Sequence, residues 1–377
     1  MEDFQIYNPT KLFFGRDSIS KLPKQAKIFG NRVLLIYGKS SIKRSGLYST
    51  ILELLKDFEI FEYSGIKSNP VLSDVEAAVE VAKNNNVDMI IAVGGGSVID
   101  SAKVVSLGAK VSFSPWEFMT QKKSPTEALP LLAVLTLAAT GTEMNAAAVI
   151  QNIETKQKIG IGIPLMYPKV SFLDPQLTTT VDAKYTAYGI VDIIAHALEA
   201  YFGEGDSPLA DKFIFSIIDE AMEAGIDLMN NLDNYELRAR ILYASTMALN
   251  GTTNHGRKSG DWGVHAIGHE LSFLYDMPHG ASLSIAYPAW MRLNAVFQKD
   301  KIEELGSVLF GAETVEETAQ GFEDFFSEIG SPIRLSEVDI LAKDFDEIES
   351  QFVNNHVSGV FVKIDRKRYR ELLEFMK

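Results

Sequence analysis

Histidine and aspartate side chains at helical spacing are the first residues of this sequence that could do chemistry together. The chain has six histidines, and three of them, His265, His269 and His279, lie within residues 265–279. Asp192 and His196 are four residues apart in a helical pattern, so both project from one helix face. His265 and His269 repeat that spacing. The sequence therefore predicts a divalent metal site with one carboxylate and three imidazole ligands, namely Asp192, His196, His265 and His279.

The common alternative for an aspartate–histidine pair at this spacing is an ion pair on a helix surface. The surrounding sequence argues against it, because Asp192 and His196 lie within the strongly apolar run 191–198. A buried charge needs a partner or a metal. Three nitrogens and one oxygen suit Zn²⁺ or Fe²⁺, leave Ni²⁺ and Co²⁺ open, and leave room for a substrate oxygen.

A run of three glycines marks a second candidate site. Gly94, Gly95 and Gly96, followed by Ser97, stand between a predicted strand and a predicted helix. A helix N-terminus offers free N–H groups and a positive dipole end, and glycines let a phosphate approach the backbone closely. The loop predicts pyrophosphate binding, although it matches neither G-x-G-x-x-G nor a Walker A motif. The alternative is a tight turn without a ligand.

Two further loops follow apolar runs. Gly38 begins the segment 38–44, which contains Lys39, Lys43 and Arg44 and no acid. In a dinucleotide-binding domain an acid here takes the ribose 2′-hydroxyl, whereas a cation accommodates a 2′-phosphate. The segment therefore favours NADP(H) over NAD(H), and its alternative is a solvated charged loop. The loop 136–143 is rich in small and hydroxyl residues that could hydrogen-bond a cofactor.

The elements that must position these loops alternate between strand and helix. Apolar runs predict strands at 33–37, 88–93, 131–135 and 169–173, and continuous apolar strands are typical of a parallel sheet covered on both faces. Helical patterns lie between them at 73–83, with a Ser73/Glu76 capping box, and at 97–107, with its own cap. This order predicts a doubly wound α/β domain with a mainly parallel sheet.

The second half has a different pattern. Helical periodicity dominates from about residue 182, with helices predicted at 185–201, 212–229, 236–249 and 315–328 and one strand candidate at 359–364. We therefore expect an α/β domain at 1–180 and an all-helical metal-binding domain at 181–377, separated near the connector 174–180. A site between two such domains is the usual arrangement.

The composition excludes several classes of protein. The 377-residue chain has no cysteine, which rules out disulfides, thiolate catalysis and cysteine-ligated zinc or iron–sulfur clusters. A net charge of −14 argues against a general nucleic-acid-binding role, which needs a basic face. The longest mostly apolar run, 128–139, is far shorter than the ~20 residues that span a bilayer. With no export signal at the start of the sequence, we expect a cytoplasmic enzyme with a small-molecule substrate and neither nucleic acid nor membrane as partner.

These segments together resemble the iron-containing (group III) alcohol dehydrogenases, and above all their butanol dehydrogenase and aldehyde reductase branch. Several motifs in the same order, over nearly the whole chain, make this resemblance far more specific than any single motif. The matching segments are 7–15, 38–44, 94–103, 136–143, 174–175, 192–199, 260–272 and 279–280.

The resemblance implies a dehydroquinate synthase-like architecture, a homodimer, and a metal in the cleft between a dinucleotide-binding domain and a helical domain. It implies hydride transfer between a nicotinamide cofactor and primary alcohols or aldehydes, with His269 near the substrate as a proton relay and the four predicted ligands as catalytic residues. The implied cofactor contacts are Gly38, Lys39, Ser40, Ser41, Asn69, Gly94, Gly95, Gly96, Ser97, Asp100, Thr136, Leu137, Thr140, Thr142, Asn145 and Lys158.

Several positions depart from the common pattern of that family. Gly268 stands where an acid is more usual, Pro278 where threonine is, and Ala138 where proline is. Lys39 and Ser40 replace glycines that are frequent in the butanol dehydrogenase branch. None of these changes removes a predicted ligand, and their expected effects are on fine geometry, metal choice and substrate range.

Other function classes share parts of these motifs. A metal-dependent hydrolase would activate water and would need no nicotinamide. A lyase like dehydroquinate synthase, or an enzyme like glycerol dehydrogenase, belongs to the same superfold. A catalytically silent binding protein would keep only the cofactor domain, and the intact ligand set argues against it. We therefore expect a metal-dependent oxidoreductase that uses NADP(H) on butanol-like or butanal-like substrates.

Overall fold

A six-stranded parallel sheet occupies the first half of the chain. The computed structural model describes residues 1–377. Its strands are β1 (Lys11–Phe14), β2 (Arg32–Gly38), β3 (Glu59–Ile66), β4 (Met89–Gly94), β5 (Leu131–Leu135), β6 (Ala147–Asn152), β7 (Gln157–Gly162) and β8 (Val170–Leu173). The sheet has the order β1-β8-β5-β4-β2-β3 with every neighbouring pair parallel, and β6 and β7 form a separate antiparallel hairpin.

All four predicted strands are confirmed as β2, β4, β5 and β8. The two edge strands, β1 and β3, and the hairpin were not predicted. Strand β3 is half-exposed along its length, so it lacks the continuous apolar run that identified the central strands.

Helices cover both faces of the sheet. They are α1 (Leu22–Ala26), α2 (Ser41–Arg44), α3 (Leu47–Leu54), α4 (Leu72–Asn84), α5 (Gly96–Gly108) and α6 (Pro115–Met119). Alternate residues of each central strand point to opposite faces. Ile90 of β4 packs in one core with residues of α4 and α5, and Ile91 packs in another with residues of α1 and α3. The predicted doubly wound α/β fold is therefore confirmed.

Two predicted helix caps are wrong. Helix α4 begins at Leu72, so Ser73 lies within its first turn, and Glu76 instead accepts a hydrogen bond from Ser114 Oγ at 2.6 Å. Helix α5 begins at Gly96 with no side-chain cap, and Ser97 Oγ donates to the backbone oxygen of Ser68. In both cases a long-range partner takes the side chain that local spacing assigned to a cap.

The strand order has a switch point between β2 and β4. From β2 the chain continues outward to β3, and from β4 it continues in the opposite direction to β5 and β8. Ligands of open α/β sheets bind at the carboxyl ends of the strands at such a point. Gly38 ends β2 and Gly94 ends β4, so both predicted cofactor loops start there.

The second half of the chain is helical, as predicted. Its helices are α7 (Ala183–Tyr201), α8 (Pro208–Asn230), α9 (Tyr235–Leu249), α10 (Gly263–Tyr275), α11 (His279–Leu293), α12 (Lys299–Phe310), α13 (Val315–Glu328), α14 (Phe345–Asn354) and α15 (Arg366–Met376). Short 3₁₀ turns occur along the chain at Ser18–Lys21, Thr142–Met144, Pro164–Met166, Pro175–Thr178, Thr252–Asn254, Leu335–Val338 and Ala342–Asp344. Among the helices, none combines the length and apolar character of a membrane-crossing segment.

The strand predicted at 359–364 is wrong, because the backbone of this segment bonds to Asp261 rather than to another strand. The Asp261 carboxylate accepts from the backbone N–H groups of Gly263, Phe361 and Val362, and the Asp261 backbone oxygen accepts from Val360. Burial raises the pKa of Asp261 to about 6, against the lowering effect of these donors. One side chain therefore fixes both this segment and the entry to α10.

The chain divides into two compact units. One comprises Tyr7–Val181 and Asp233–Leu242, and the other comprises Met1–Ile6, Asp182–Leu232 and Tyr243–Lys377. The main change falls at Val181 and Asp182, beside the expected boundary after residue 180. Because a short segment at the N-terminus and the residues 233–242 belong to the opposite unit, a two-range division at 1–180 and 181–377 stays a prediction.

Candidate active site

Helix α7 presents two predicted metal ligands on one buried face. Asp192 and His196 lie one turn apart and are 3% and 5% exposed. The helix starts after Asp182, whose carboxylate accepts from the backbone N–H of Tyr185 at 2.8 Å, and every residue from 186 to 201 is buried. The apolar run around Asp192 is core packing, and the two polar side chains are exceptions within it.

Helix α10 brings His265 to the same place. Trp262, just before this helix, has the left-handed backbone φ of 61° that turns the chain into its first turn. The Trp262 indole packs edge-on against the His265 ring, with centroids 5.3 Å apart. The His265 ring in turn lies 4.6 Å from the ring of His196.

His279 is the first residue of α11 and depends on close helix packing. A Cβ atom at Gly280 would lie 2.1 Å from the backbone oxygen of Tyr188, so only glycine lets this end of α11 approach α7. Tyr188 precedes Asp192 by one turn of α7. At Gly268 a Cβ atom would lie 2.7 Å from Ser282 Oγ, so a larger side chain at that position would push α10 away from α11.

Three imidazoles converge on a single carboxylate oxygen. Asp192 Oδ1 lies 3.6 Å from His196 Nδ1, 3.8 Å from His265 Nε2 and 3.9 Å from His279 Nε2. One ligand atom each from Asp192, His265 and His279 lies within 4.8 Å of the others. The structure thus brings together all four residues that the sequence predicted as ligands. His196 lies beside Asp192 but outside the tightest group of three.

The electrostatics of this cluster favour one positive charge beside Asp192. Burial lowers the pKa of His196 to about 4, although Asp192 lies nearby. For His265 burial acts in the same direction, but the carboxylates of Asp192 and Glu199 outweigh it and raise the pKa to about 9. Either a proton or a metal cation can supply the charge.

The geometry fits a divalent cation better than a set of hydrogen bonds. His196 Nδ1 and His265 Nε2 are buried and have no hydrogen-bond partner. Their distances of 3.6 and 3.8 Å from Asp192 Oδ1 exceed hydrogen-bond length. Ligands about 2.0–2.2 Å from a tetrahedral cation lie about 3.3–3.6 Å from each other. The three separations from Asp192 Oδ1, 3.6, 3.8 and 3.9 Å, lie at the upper end of this range or slightly above it. The set of three nitrogens and one oxygen suits Zn²⁺ or Fe²⁺.

His269, the predicted proton relay, lies one turn beyond His265 on α10. Its ring centroid is 5.2 Å from that of His279 and 6.5 Å from that of His265. It is partly buried and stands next to the ligand cluster. A relay role for His269 stays a prediction.

The glycine loop after β4 is shaped by a neighbouring loop. A Cβ atom at Gly96 would lie 2.7 Å from Thr140 Oγ1, and one at Gly95 would lie 3.3 Å from Leu137 Cβ. Thr136 to Thr140 therefore pack directly against the start of α5, whose N-terminus no side chain caps. The backbone N–H groups of Val98 and Ile99 donate to the oxygen of Gly95, which leaves those of Gly96 and Ser97 for an anion.

Two known protein-family profiles match the chain. The sequence profile "Iron-containing alcohol dehydrogenase" matches residues 9–175, and the profile "Fe-containing alcohol dehydrogenase family, C-terminal" matches residues 186–375. The chain belongs to the iron-containing alcohol dehydrogenase family. It is an alcohol/aldehyde oxidoreductase, as the sequence predicted.

Relatives of this alcohol dehydrogenase match it along most of its length. Probable NADH-dependent butanol dehydrogenase 1 of Bacillus subtilis is 41% identical, over 99% of both chains. The NADPH-dependent aldehyde reductase YqhD of Escherichia coli is 32% identical over 89% of both chains. The crystal structure of NADH-dependent butanol dehydrogenase A from Thermotoga maritima is 39% identical, with a TM-score of 0.96 over 100% of this chain and 99% of that one.

The loop after β2 of this alcohol dehydrogenase is basic and exposed. Lys39, Lys43 and Arg44 are all exposed. Lys43 Nζ lies 5.3 Å from the centre of the Tyr37 ring and 4.8 Å from that of Tyr48, and Arg44 donates to Ser40 Oγ. Two of the three cations therefore already have neighbours within the loop region.

An acid that binds a ribose hydroxyl must be free to accept a hydrogen bond from it, and Glu62 already accepts two others. Glu62 of β3 accepts hydrogen bonds from Tyr37 at 2.6 Å and from Tyr48 at 2.9 Å. In the sheet Glu62 pairs with Leu35, which lies before the carboxyl end of β2. The structure thus offers cations, and no uncommitted carboxylate, directly after Gly38.

The other predicted cofactor residues are mostly buried. Lys158 Nζ donates to Asn69 Oδ1 at 2.9 Å, which ties β7 to the segment before α4. Three more of these side chains, Asp100, Thr142 and Asn145, bond to one another or to Lys103. Contacts between these side chains and a cofactor stay predictions.

Glu199, to which the sequence pattern gave no role, lies beside the cluster of candidate ligands. Its Oε1 accepts from the backbone N–H of His265 at 2.9 Å and lies 2.8 Å from His265 Nδ1. The helical spacing places Glu199 one turn beyond His196 on α7, which was the available signal. Bonding at Nδ1 leaves Nε2 as the atom that faces Asp192.

Proposed function

We propose that this enzyme interconverts aldehydes and primary alcohols of the butanal and butanol type by hydride transfer with NADP(H), using one divalent cation. The observation that carries the proposal is the convergence of three imidazoles on Asp192 Oδ1. The proposed ligands are Asp192, His196, His265 and His279. The proposed cofactor site lies at the carboxyl ends of β2 and β4, over Gly38 and the loop 94–97.

Different residues have different roles in the proposed reaction. A cation held by Asp192, His265 and His279 would polarise a carbonyl oxygen, and a nicotinamide cofactor held at the loop 94–97 would exchange a hydride with the carbonyl carbon. The His279 side chain is 23% exposed, whereas those of Asp192 and His265 are 4% and 7% exposed, so the substrate oxygen approaches past His279. His269, next to His279, holds the proton that the product alcohol gains. Buried side chains exclude water from the other sides of the cluster.

The test follows absorbance of reduced nicotinamide with butanal, before and after chelation and with Zn²⁺ or Fe²⁺ added back. We expect chelation to stop oxidation of the reduced cofactor and added metal to restore it. Without the metal, only protons could supply the positive charge beside Asp192. If no cofactor is oxidised with any metal across short aldehydes, ketones and sugars, the proposal fails. Hydrolysis of a phosphate ester without nicotinamide would instead support a hydrolase.

Preference for NADP(H) over NAD(H) is the finer part of the proposal. It rests on the cations of the loop 38–44, since the relatives named above include both NADH-dependent and NADPH-dependent enzymes. We expect Lys39→Glu to lower kcat/KM for NADPH by about 10- to 100-fold, the worth of one hydrogen bond to a charged group, with little effect for NADH.

The matched control for that variant is Lys110→Glu, which makes the same charge change. Lys110 follows the C-terminal end of α5, whereas the proposed cofactor loop 94–97 lies at the start of this helix. Lys110 is also exposed. Steady-state kinetics with both cofactors decide the question, and a wild-type enzyme that favours NADH would overturn the preference while leaving the enzyme class intact. A homodimer and a cytoplasmic location remain predictions.

A further inference from the structure

A fully buried lysine in α5 has no part in the proposed chemistry. Lys103 Nζ donates to Thr142 Oγ1 at 2.7 Å, to Asn145 Oδ1 at 2.9 Å and to the backbone oxygen of Ala147 at 2.7 Å. An ammonium group has three hydrogens, and each is used. Asp100, one turn earlier, accepts from Thr142 Oγ1 at 2.6 Å and from the backbone N–H of Val149 at 2.9 Å.

These bonds hold the segment 140–147 from the inside. Asn145 Nδ2 donates back to the oxygen of Gly141 at 3.0 Å, and Asn145 Oδ1 also accepts from the backbone N–H of Ala147 at 2.9 Å. Gly141 has the left-handed φ of 55° that the bend requires. Lys103 therefore ties the two ends of the bend, at Thr142 and Ala147, to α5. Asp100 adds bonds to Thr142 and to Val149 just beyond the bend.

The outer surface of the same bend touches the glycine loop. Thr140 Oγ1 accepts from the backbone N–H of Thr142 at 3.3 Å, and it lies 2.7 Å from the position that a Cβ atom of Gly96 would take. The position of Thr140 thus sets the space above the first turn of α5. A shift of the bend would move Thr140 into or out of the place proposed for the cofactor phosphates.

We propose that Lys103 is a positioning residue for the nicotinamide cofactor, which acts by holding the segment 140–147 against Gly96. This inference rests on the proposed function, because it assumes that the loop 94–97 binds that cofactor. A methionine could fill similar volume without burying a charge, so simple packing does not call for a lysine here.

The protonation state gives this role a signature. Burial lowers the pKa of Lys103 to about 8, although Asp100 and Glu143, the two carboxylates that face it, oppose the shift. Above about pH 8 the neutral amine has two hydrogens for three acceptors, so we expect cofactor binding to weaken. The folded protein then binds fewer protons than the unfolded chain between pH 8 and 10.5, so this group makes stability rise with pH. Cofactor affinity and stability therefore change in opposite directions.

The experiment compares Lys103→Met with Ser106→Ala, a loss of one buried hydrogen bond in the same helix. Ser106 Oγ donates to the oxygen of Leu129 at 2.8 Å and does not touch the bend. Fluorescence titration with NADPH and with NADH gives the cofactor Kd of each full-length protein between pH 6.5 and 9.5. We expect Lys103→Met to raise Kd about tenfold or more and to remove the rise above pH 8. Ser106→Ala should stay within about twofold of the wild type.

Thr142→Val is the second variant and decides the matter if Lys103→Met does not fold. It keeps the side-chain shape but removes one acceptor of Lys103 and the donor to Asp100. Because Thr142 is itself an implied cofactor contact, the deciding measurement is the pH profile: with two acceptors left for the neutral amine, the rise in Kd above pH 8 should disappear. An unchanged Kd and pH profile in a folded variant would overturn the positioning role while the proposed function stands. A wild-type protein that binds neither cofactor would overturn the proposed function, and this inference with it.

Discussion

In the Asp192→Ala variant we expect metal retention to be lost and turnover to fall by about 10³-fold or more, while cofactor binding stays measurable. Asp192 Oδ1 is the atom on which His196, His265 and His279 converge, and it belongs to the one carboxylate among the proposed ligands. Without it the cluster holds only imidazoles, which have no negative charge to offset a divalent cation.

Three measurements check this expectation on the same preparations. Metal content per chain, turnover of butanal and cofactor Kd are each compared with the wild type and with His279→Ala. The matched control is Asp182→Ala, which removes the N-cap of the same helix and costs about 1 kcal/mol of stability without removing a ligand. Asp182→Ala should keep its metal. Full metal content in Asp192→Ala, or an equal loss of cofactor binding in the Asp192 and His279 variants, would contradict the proposed division of roles.

The parts of the site that sequence could predict are those set by local periodicity. Asp192 and His196 share a face of α7 because they are four residues apart, and His279 begins α11 because Met277 and Pro278 interrupt the helical pattern before it. The strands that carry the glycine loops were predictable because both of their faces are buried. Each of these features depends on residues within one or two turns of the chain.

The parts that could not be predicted depend on partners far away in the sequence. Asp261 takes the backbone donors of Phe361 and Val362, which turns an apparent strand into a bonded loop. In the sequence Lys103 is one more polar residue of a predicted helix. In the structure its three acceptors belong to a segment about 40 residues later. Only the fold shows that these groups meet, because hydrophobic spacing carries no information about which polar groups pair.

Glu199 is a long-range partner of this kind, because it bonds to His265 from another helix. Its removal is the second change for which we expect a large effect, in this case on metal affinity. In Glu199→Ala the affinity for Zn²⁺ or Co²⁺ should fall about 10- to 100-fold, the usual effect of losing a group that orients a metal-binding histidine. Glu199 Oε1 accepts from the backbone N–H of His265 and lies 2.8 Å from Nδ1 of the same residue. Without it the ring can rotate or keep its proton on Nε2, the atom that faces Asp192.

Competition with a chromophoric chelator gives the metal affinity, and the visible absorption of bound Co²⁺ reports whether the coordination changes. Glu199→Gln keeps an accepting oxygen but loses the charge, so its affinity should lie between those of the wild type and Glu199→Ala. The control is Glu270→Gln on α10, also a buried glutamate, whose Oε2 accepts from Gln351 and Asn355. That variant should lose stability and keep its metal affinity. Wild-type affinity in Glu199→Ala would mean that the indole of Trp262, packed edge-on against the His265 ring, is enough to orient it.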